Sequence, residues 1–299
     1  MENSELKINI VFCDNCFEPI DVKHMKRRLI LFFAISLLIT GTTFEEKVLT
    51  LKGSDTMVIL VQKWTEEYPD KSVQFQVTGG GSGTGIASLI NGTTDICSSS
   101  RPMKSAEALQ MKQKYGKPPI EIRVARDGLS VYVHKTNLIK TITIKQLGDI
   151  FTGKIKNWKD IGGPDHKILL YSRENNSGTY EFFKEHVLLN KDFDPSAQHM
   201  PGTSAVVGAI AMDQWGIGYG GAAYTNGVNE VKVSVHKDSI AYLPTEENIL
   251  NGKYPISRFL YFYLRERPLH ETKQFIDWVI GKEGQKVVLD VGYFPTKKL

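Results

Sequence analysis

The chain has 299 residues and a formal net charge of +4, from 37 lysines and arginines against 33 aspartates and glutamates. This small excess comes without a basic run interleaved with aromatic residues, so the composition argues against nucleic-acid binding. The seven histidines are scattered without ligand spacing, and the three cysteines make no disulfide framework, so neither a metal site nor a cofactor is expected.

A basic segment followed by an apolar one lies near the N-terminus. Met25-Lys26-Arg27-Arg28 precedes the apolar residues 29–39 and small residues at 41–43, a pattern typical of a cleaved secretory signal peptide over 25–43. The apolar run is shorter than the roughly 20 residues of a membrane span. Residues 1–24 form an upstream extension that does not fit an export signal and favours Met25 as the start. The sequence predicts a periplasmic or secreted protein without a lipid anchor, an uncleaved N-terminal anchor being the alternative.

The upstream extension contains the lone C-x-x-C pair Cys13 and Cys16, which we interpret as incidental. Cys97 is then the single cysteine of the exported chain and predicts a small buried thiol.

Strands and helices alternate in the first predicted unit. After Gly53-Ser54-Asp55-Thr56, apolar residues recur with helical spacing and predict a helix with one buried face. These residues are Met57, Leu60, Val61, Trp64 and Tyr68. Residues 72–77 alternate as a half-buried strand does, a second helix is expected from near Gly83, and 94–97 predict a further strand. This order predicts parallel strands whose carboxyl ends share one edge, where ligands of open α/β folds bind.

Ser82 and Thr84 lie in the glycine-rich turn 79–85, between a strand and a helix. A helix start leaves about four backbone N–H groups unpaired and carries a partial positive charge, so hydroxyls and bare glycine backbone there can hold an anion. Nucleotide patterns fail: no register gives G-x-G-x-x-G, and the near P-loop at 148–155 has Ile155 where a hydroxyl must reach magnesium.

A second unit is expected from about Gly128. Residues 122–133 predict a strand interrupted at Arg126-Asp127-Gly128, a candidate hinge. A helix over 144–151 and a strand over 167–171 follow, and then the third anion-type helix start, Ser177-Gly178-Thr179. Arg173, four residues before Ser177, can grip the same anion with its two-pronged guanidinium. An aromatic strand over 254–264 and helices over 272–280 and 284–289 predict a return to the first unit.

These motifs, in this order over nearly the whole exported chain, resemble the phosphate-binding proteins of phosphate ABC importers. The motifs are Gly53-Ser54-Asp55-Thr56, the glycine-rich turn 79–85, residues 91–96 with Ser99-Ser100-Arg101, residues 150–158, Arg173 with Ser177-Gly178-Thr179, and Gly292-Tyr293-Phe294-Pro295. The resemblance implies an α/β fold, the two-lobed periplasmic binding protein fold of type II. Each lobe is a mostly parallel sheet flanked by helices, with the ligand in the interlobe cleft. Lobe I is expected over 44–127 and 256–299, and lobe II over 128–255.

The resemblance also implies the site and the partners. Family contacts fall by position on Thr56, Ser82, Arg173, Ser177, Gly178 and Thr179, and the neighbouring Ser54, Asp55, Gly83, Thr84, Ser100 and Arg101 complete the expected phosphate site. The implied activity is capture of inorganic phosphate without catalysis, by a monomer that delivers it to the membrane permease and ATPase subunits of an ABC importer.

This chain departs from the family at one position. Many members carry an aspartate, which accepts the proton that phosphate has and sulfate lacks, where this chain has Ser100. Asp55, next to Thr56, is therefore our candidate for the proton acceptor that excludes sulfate. The alternative is that Asp55 only caps the helix that follows.

Other functions stay open at this point. Among binding proteins the rival ligands are sulfate, molybdate and a phosphate ester. A secreted phosphatase is the rival enzyme, although the sequence offers neither a nucleophile with its base nor a set of metal ligands. An adhesive or sensory protein on the same fold is a further alternative.

Overall fold

A computed structural model describes residues 48–298, so the predicted signal peptide, the extension 1–24 and the Cys13-Cys16 pair lie outside the described residues. The strands are β1 (Val48–Gly53), β2 (Gln74–Thr78), β3 (Ile96–Ser99), β4 (Ile120–His134), β5 (Thr141–Thr143), β6 (Leu169–Arg173), β7 (Gln198–Met200), β8 (Gly216–Gly221), β9 (Val228–Ser234) and β10 (Ser257–Leu264). The α-helices are α1 (Val58–Glu67), α2 (Ser82–Asn91), α3 (Ser105–Tyr115), α4 (Ile144–Phe151), α5 (Gly178–His186), α6 (Thr203–Met212), α7 (Glu246–Leu250), α8 (His270–Ile280) and α9 (Lys282–Val291). Short 3-10 turns cover Asp55–Met57 and Trp158–Ile161.

The first half of the sheet has the strand order β2-β1-β3-β10-β4. β1 is parallel to both β2 and β3, and β10 runs antiparallel to β3 and β4. The carboxyl ends of β1, β2 and β3 therefore lie at one edge, as the alternation of strands and helices predicted. β1 is followed directly by Ser54-Asp55-Thr56, β2 by the glycine-rich turn 79–85, and β3 by Ser100-Arg101.

The second half of the sheet has the order β4-β8-β6-β7, with β9 on β4 and β5 on β9. β6 is parallel to β7 and β8, and β4 is antiparallel to β8 and β9. β4 belongs to both halves, since it pairs with β10 through Gly128 and with β8 from Leu129 onward. The predicted two-lobed α/β fold class is confirmed.

One sequence prediction about β4 is wrong. The expected interruption at Arg126-Asp127-Gly128 does not exist, because β4 runs unbroken from Ile120 to His134. Gly128 pairs with Ser257 of β10, and the Asp127 carboxylate is held by its own hydrogen bonds, described below. Residues that often end strands are kept in this one by partners distant in sequence.

The hydrophobic interior forms two large clusters, one in each half of the sheet that β4 joins. One contains Trp64 and Phe275 with the predicted face of α1, whose five apolar residues are all buried as expected. The other contains Trp158 and Tyr219. Cys97 is a buried free thiol, as predicted, and burial raises its pKa. Among residues 48–298, no helix combines the length and the apolar character needed to cross a bilayer.

Candidate functional site

Six hydroxyl side chains are buried where the two sheet halves meet. Each is at most 2 % exposed, and together they come from both halves of the fold: Ser54, Thr56, Ser82, Ser100, Ser177 and Thr179. All six belong to the clusters singled out from the sequence. Buried hydroxyls need hydrogen-bond partners, and here most of these partners are one another or helix-terminal N–H groups.

Three of the hydroxyls, those of Ser54, Ser82 and Ser100, lie beyond the carboxyl ends of β1, β2 and β3. Ser54 directly follows β1 and Ser100 directly follows β3, its parallel neighbour, so the two side chains lie side by side. The Ser54 Oγ donates to the Ser100 Oγ at 2.9 Å, and the Ser100 backbone N–H donates to the Ser82 Oγ at 3.0 Å. Ser82 is the first residue of α2, so this cluster lies at the N-terminus of that helix.

The start of α5 faces the same cluster. Ser177 is its N-cap residue and accepts hydrogen bonds from the backbone N–H groups of Thr179 and Tyr180, at 3.2 and 3.4 Å. At Gly178 a side chain would collide with Ser82 and would lie 2.7 Å from the Ser100 Oγ, so the approach requires glycine. Two helix N-termini, both favourable to an anion, thus meet at one point.

A direct contact between hydroxyls joins the two sides. The Thr56 Oγ1 lies 2.8 Å from the Thr179 Oγ1, a hydrogen bond across 123 residues of sequence. The Tyr293 hydroxyl donates to the Thr56 backbone carbonyl and so fixes the turn that carries Thr56.

Arg173, the last residue of β6, is 1 % exposed. Its Nη1 donates to the Thr203 Oγ1 at 2.8 Å, and its Nη2 lies 3.1 Å from the Asp55 Oδ2. Burial lowers the pKa of this guanidinium, and the Asp55 carboxylate opposes that shift. The predicted neighbour of the helix start is thus a buried cation whose carboxylate partner comes from the other half of the fold.

The Asp55 carboxylate has two partners. Besides Arg173, it accepts a hydrogen bond at its Oδ1 from the Gly80 backbone N–H, at 2.8 Å. Neither of these hydrogen bonds, which are the ones described for the Asp55 carboxylate, goes to an N–H group of the turn 55–57 or of α1. The capping role considered from the sequence is therefore not the one in this structure.

Asn176, in the loop before α5, also makes hydrogen bonds to the glycine-rich turn 79–85. The Gly83 N–H donates to the Asn176 carbonyl at 2.9 Å. The Asn176 amide group donates to the Gly80 carbonyl at 3.0 Å and lies 3.4 Å from the Thr84 Oγ1. The expected site residues Gly83 and Thr84 thus contact this loop.

Arg101 has a different environment from the other expected site residues. Its Nη1 and Nη2 donate to the two Glu107 oxygens at 2.8 and 2.7 Å, and its Nη1 also donates to the Pro102 carbonyl at 2.9 Å. Glu107 in turn accepts from the Lys104 backbone N–H at 2.7 Å, which closes a capping box at the start of α3. The hydrogen bonds that the structure describes for this guanidinium go to Glu107 of α3 and to Pro102, and none of them goes to the hydroxyl groups.

Sequence reasoning missed an ion pair beside the hydroxyls. Asp127 of β4 and Arg258 of β10 are both buried, and the Arg258 Nη2 lies 2.8 Å from the Asp127 Oδ2. The same Nη2 donates to the Thr179 Oγ1 at 2.9 Å. Both residues lay in segments predicted to connect the lobes, but 131 residues separate them, and no local pattern indicated that they pair. Asn176 was missed too, although it adjoins a predicted site residue.

Comparison with known proteins gives the following matches. Residues 40–283 match the model of a family described as the PBP superfamily domain. The chain is 37% identical over 262 residues to the phosphate-binding protein PstS of Pseudomonas aeruginosa, covering 81% of each chain. It is 33% identical over 259 residues to the PstS of Staphylococcus epidermidis, covering 83% of this chain and 78% of that one.

A solved structure gives the corresponding match in three dimensions. It is a substrate-binding protein from Clostridium perfringens, assigned to a phosphate ABC transporter and crystallised with bound phosphate. The two folds superpose with a TM-score of 0.76 at 31% identity, covering 84% of this chain and 100% of that one.

Proposed function

The chain belongs to the PstS family of phosphate-binding proteins within the PBP superfamily, and from that premise we propose that it captures inorganic phosphate between its lobes and delivers it to an ABC-type importer. The observation that carries this proposal is the convergence of six buried hydroxyls and Arg173 at the N-termini of α2 and α5. The phosphate is expected to take the place of the contacts that the hydroxyls now make with one another.

We propose that the residues expected from the sequence form this site and that they have different roles in binding phosphate. The hydroxyl groups and the α2 and α5 backbone N–H groups donate to phosphate oxygens, and Arg173 supplies the charge-assisted hydrogen bonds. Within residues 48–298, Asp55 is the carboxylate that hydrogen-bonds to Arg173. It is therefore the candidate acceptor for the phosphate proton, as proposed from the sequence. Arg101 contributes by holding the segment that carries Ser100.

Isothermal titration of the chain without its leader tests this function. We expect one phosphate per chain, with sulfate and a phosphomonoester binding much more weakly. Tight binding of sulfate with none of phosphate would assign the site to another oxyanion. Binding of the phosphomonoester alone would favour the ester as ligand.

We propose no catalysis. In the described residues the hydroxyl groups bond to other hydroxyls, to backbone groups and to Arg258, none of which is a base that could activate a nucleophile. Release of phosphate from the phosphomonoester, abolished by Ser82→Ala, would instead support the phosphatase alternative.

We propose export as a monomer, with lobe I over 44–127 and 256–299 and lobe II over 128–255. The change of partner of β4 at Gly128 supports this division.

Mass spectrometry of the protein from its native host should find an N-terminus near residue 44. Intact residues 1–24 in that protein would contradict the proposed signal peptide. Light scattering of the purified chain tests the monomer.

A further inference from the structure

Arg258 connects the strands that cross between the lobes to a hydroxyl of the site. It lies on β10, its side chain is 2 % exposed, and its Nε and Nη2 both donate to the Asp127 Oδ2, at 3.1 and 2.8 Å. The other Asp127 oxygen accepts from the Ala222 backbone N–H at 3.0 Å, just beyond the end of β8. The guanidinium is therefore held by the Asp127 carboxylate of β4, which is itself fixed by the Ala222 N–H just after β8, and its Nη2 keeps a hydrogen for Thr179.

The charge of Asp127 matters to this arrangement. Burial raises the pKa of its carboxyl group, and the Arg258 guanidinium opposes that shift. Each charge of a buried pair depends on the other, because an unpaired ion in the interior is costly. The Arg258 side chain consequently has little freedom to leave this position.

The donors and acceptors at the Thr179 hydroxyl fix the direction of its hydrogen bonds. An arginine can only donate hydrogen bonds, so at the 2.9 Å contact the Thr179 Oγ1 must accept from the Arg258 Nη2. A hydroxyl that accepts from a cation becomes a stronger donor through its own hydrogen, since successive hydrogen bonds polarise one another. Thr179 then donates toward Thr56, 2.8 Å away, or toward an anion that takes its place.

We propose that Arg258 is a positioning residue for the ligand: held by Asp127, it turns the Thr179 hydroxyl into a donor aimed at the bound anion. The inference rests on the proposed function. It adds to the site a group that acts through Thr179 and that no sequence motif marked. A purely structural role for the ion pair, holding β4 against β10, is the alternative that the experiment must separate.

A double-mutant cycle separates them. Phosphate dissociation constants are measured by titration for the parent, Thr179→Val, Arg258→Met and the combined variant. Thr179→Val removes the hydroxyl at nearly constant shape and should weaken binding roughly 10- to 100-fold, the range for a hydrogen bond to a charged group. Arg258→Met should weaken binding roughly tenfold in the parent. It should weaken binding less than about threefold once Thr179 is valine, because the two residues act as one unit.

A structural role gives a different result. It would lower the melting temperature, and the two losses in affinity would multiply in the combined variant, which would overturn the proposal. Arg123→Met is the matched control, because Arg123 is an exposed arginine of β4 that pairs with Glu121. The change in phosphate affinity caused by Arg123→Met should multiply with that caused by Thr179→Val, as it does for two independent residues.

Arg258→Met leaves Asp127 buried without its cation, so folding is checked first by circular dichroism. If this variant does not fold, Asp127→Asn/Arg258→Met replaces it and the same comparison is made. A parent chain that fails to bind phosphate would refute the proposed function. A parent that binds phosphate with multiplying losses would refute only the role of Arg258.

Discussion

Arg173 and Arg101 are both buried, and both pair with a carboxylate, yet their partners differ in kind. The partner of Arg173 is Asp55, 118 residues away, which follows β1 in the first half of the sheet, whereas Arg173 ends β6 in the second half. The partner of Arg101 is Glu107, six residues further on at the start of α3. One ion pair joins the two halves of the sheet, and the other lies within a single helix start.

This difference determines which arginine is coupled to ligand binding. A pair that spans two bodies is coupled to their approach, because any ligand that favours closure also favours the pair. A pair within one helix start is independent of that approach. Both arginines were expected in the phosphate site from the sequence, and the structure distinguishes them by their partners.

The largest expected effect is at the pair that spans the lobes. Arg173→Ala should weaken phosphate binding by at least about 100-fold, because it removes charge-assisted hydrogen bonds of about 1.5–3 kcal/mol each and leaves the Asp55 carboxylate without its cation. Arg173→Lys should recover only part of the loss, since an ammonium cannot reproduce the planar fork. Calorimetric titration measures the phosphate affinity of both variants. Unchanged affinity in Arg173→Ala would show that phosphate does not bind at Arg173.

The second prediction changes the carboxylate of the same pair. Asp55→Asn should weaken phosphate binding about tenfold or more and allow sulfate to compete. A neutral amide neither accepts the phosphate proton as well nor repels sulfate. The competition is measured by titrating phosphate in excess sulfate.

The matching control is Asp95→Asn, because the Asp95 carboxylate lies just before β3 and bonds to Thr50 rather than to the site. It should leave selectivity as in the parent. If Asp55→Asn still ignores a large excess of sulfate, another group excludes sulfate and Asp55 serves the ion pair alone.

A smaller effect is expected at the uncharged contact between the loop before α5 and the glycine-rich turn 79–85. Asn176→Ala removes the amide contacts to Gly80 and Thr84 but keeps the backbone bond from Gly83. Neutral hydrogen bonds contribute about 0.5–1.5 kcal/mol, so phosphate affinity should fall about two- to tenfold. Asn175→Ala, at the exposed neighbouring position, is the control and should change affinity less. Equal losses in both variants would mean that the loop, and not the amide, holds the lobes.

The parts of the site that the sequence predicted are local in the chain. Helix starts are recognised from hydroxyl and glycine residues within a few positions, and this is how Ser82 and Ser177 were found. The parallel order of the first strands followed from their alternation with helices. These predictions succeeded because each depends on residues close together in sequence.

The parts that the sequence did not predict depend on distant partners. The Asp127–Arg258 pair forms because β4 and β10 are neighbours in the sheet, and nothing near either residue indicates that. The predicted break at Arg126-Asp127-Gly128 was wrong for the same reason. Local residue preferences favour a turn there, and sheet pairing overrides them.

The smallest expected effect on phosphate binding is at the other arginine of the opening comparison. Arg101→Met should weaken phosphate binding no more than about fivefold, through a loosened Ser100 segment. It should lower the free energy of unfolding by about 1–3 kcal/mol, less than for a fully buried pair because Glu107 is partly exposed.

The pH dependence of this stability loss separates the pair from other causes. Burial raises the pKa of Glu107, but the hydrogen bonds from Arg101 and the Lys104 N–H outweigh it and leave that pKa lowered. A carboxyl group with a lowered pKa contributes stability above its unfolded pKa, about 4.3, and loses it as the pH falls further. The difference in unfolding free energy between the parent and Arg101→Met should therefore be largest near neutral pH and shrink below about pH 4. A loss of affinity as large as that of Arg173→Ala would show that Arg101 contacts phosphate, and the two arginines would then be equivalent.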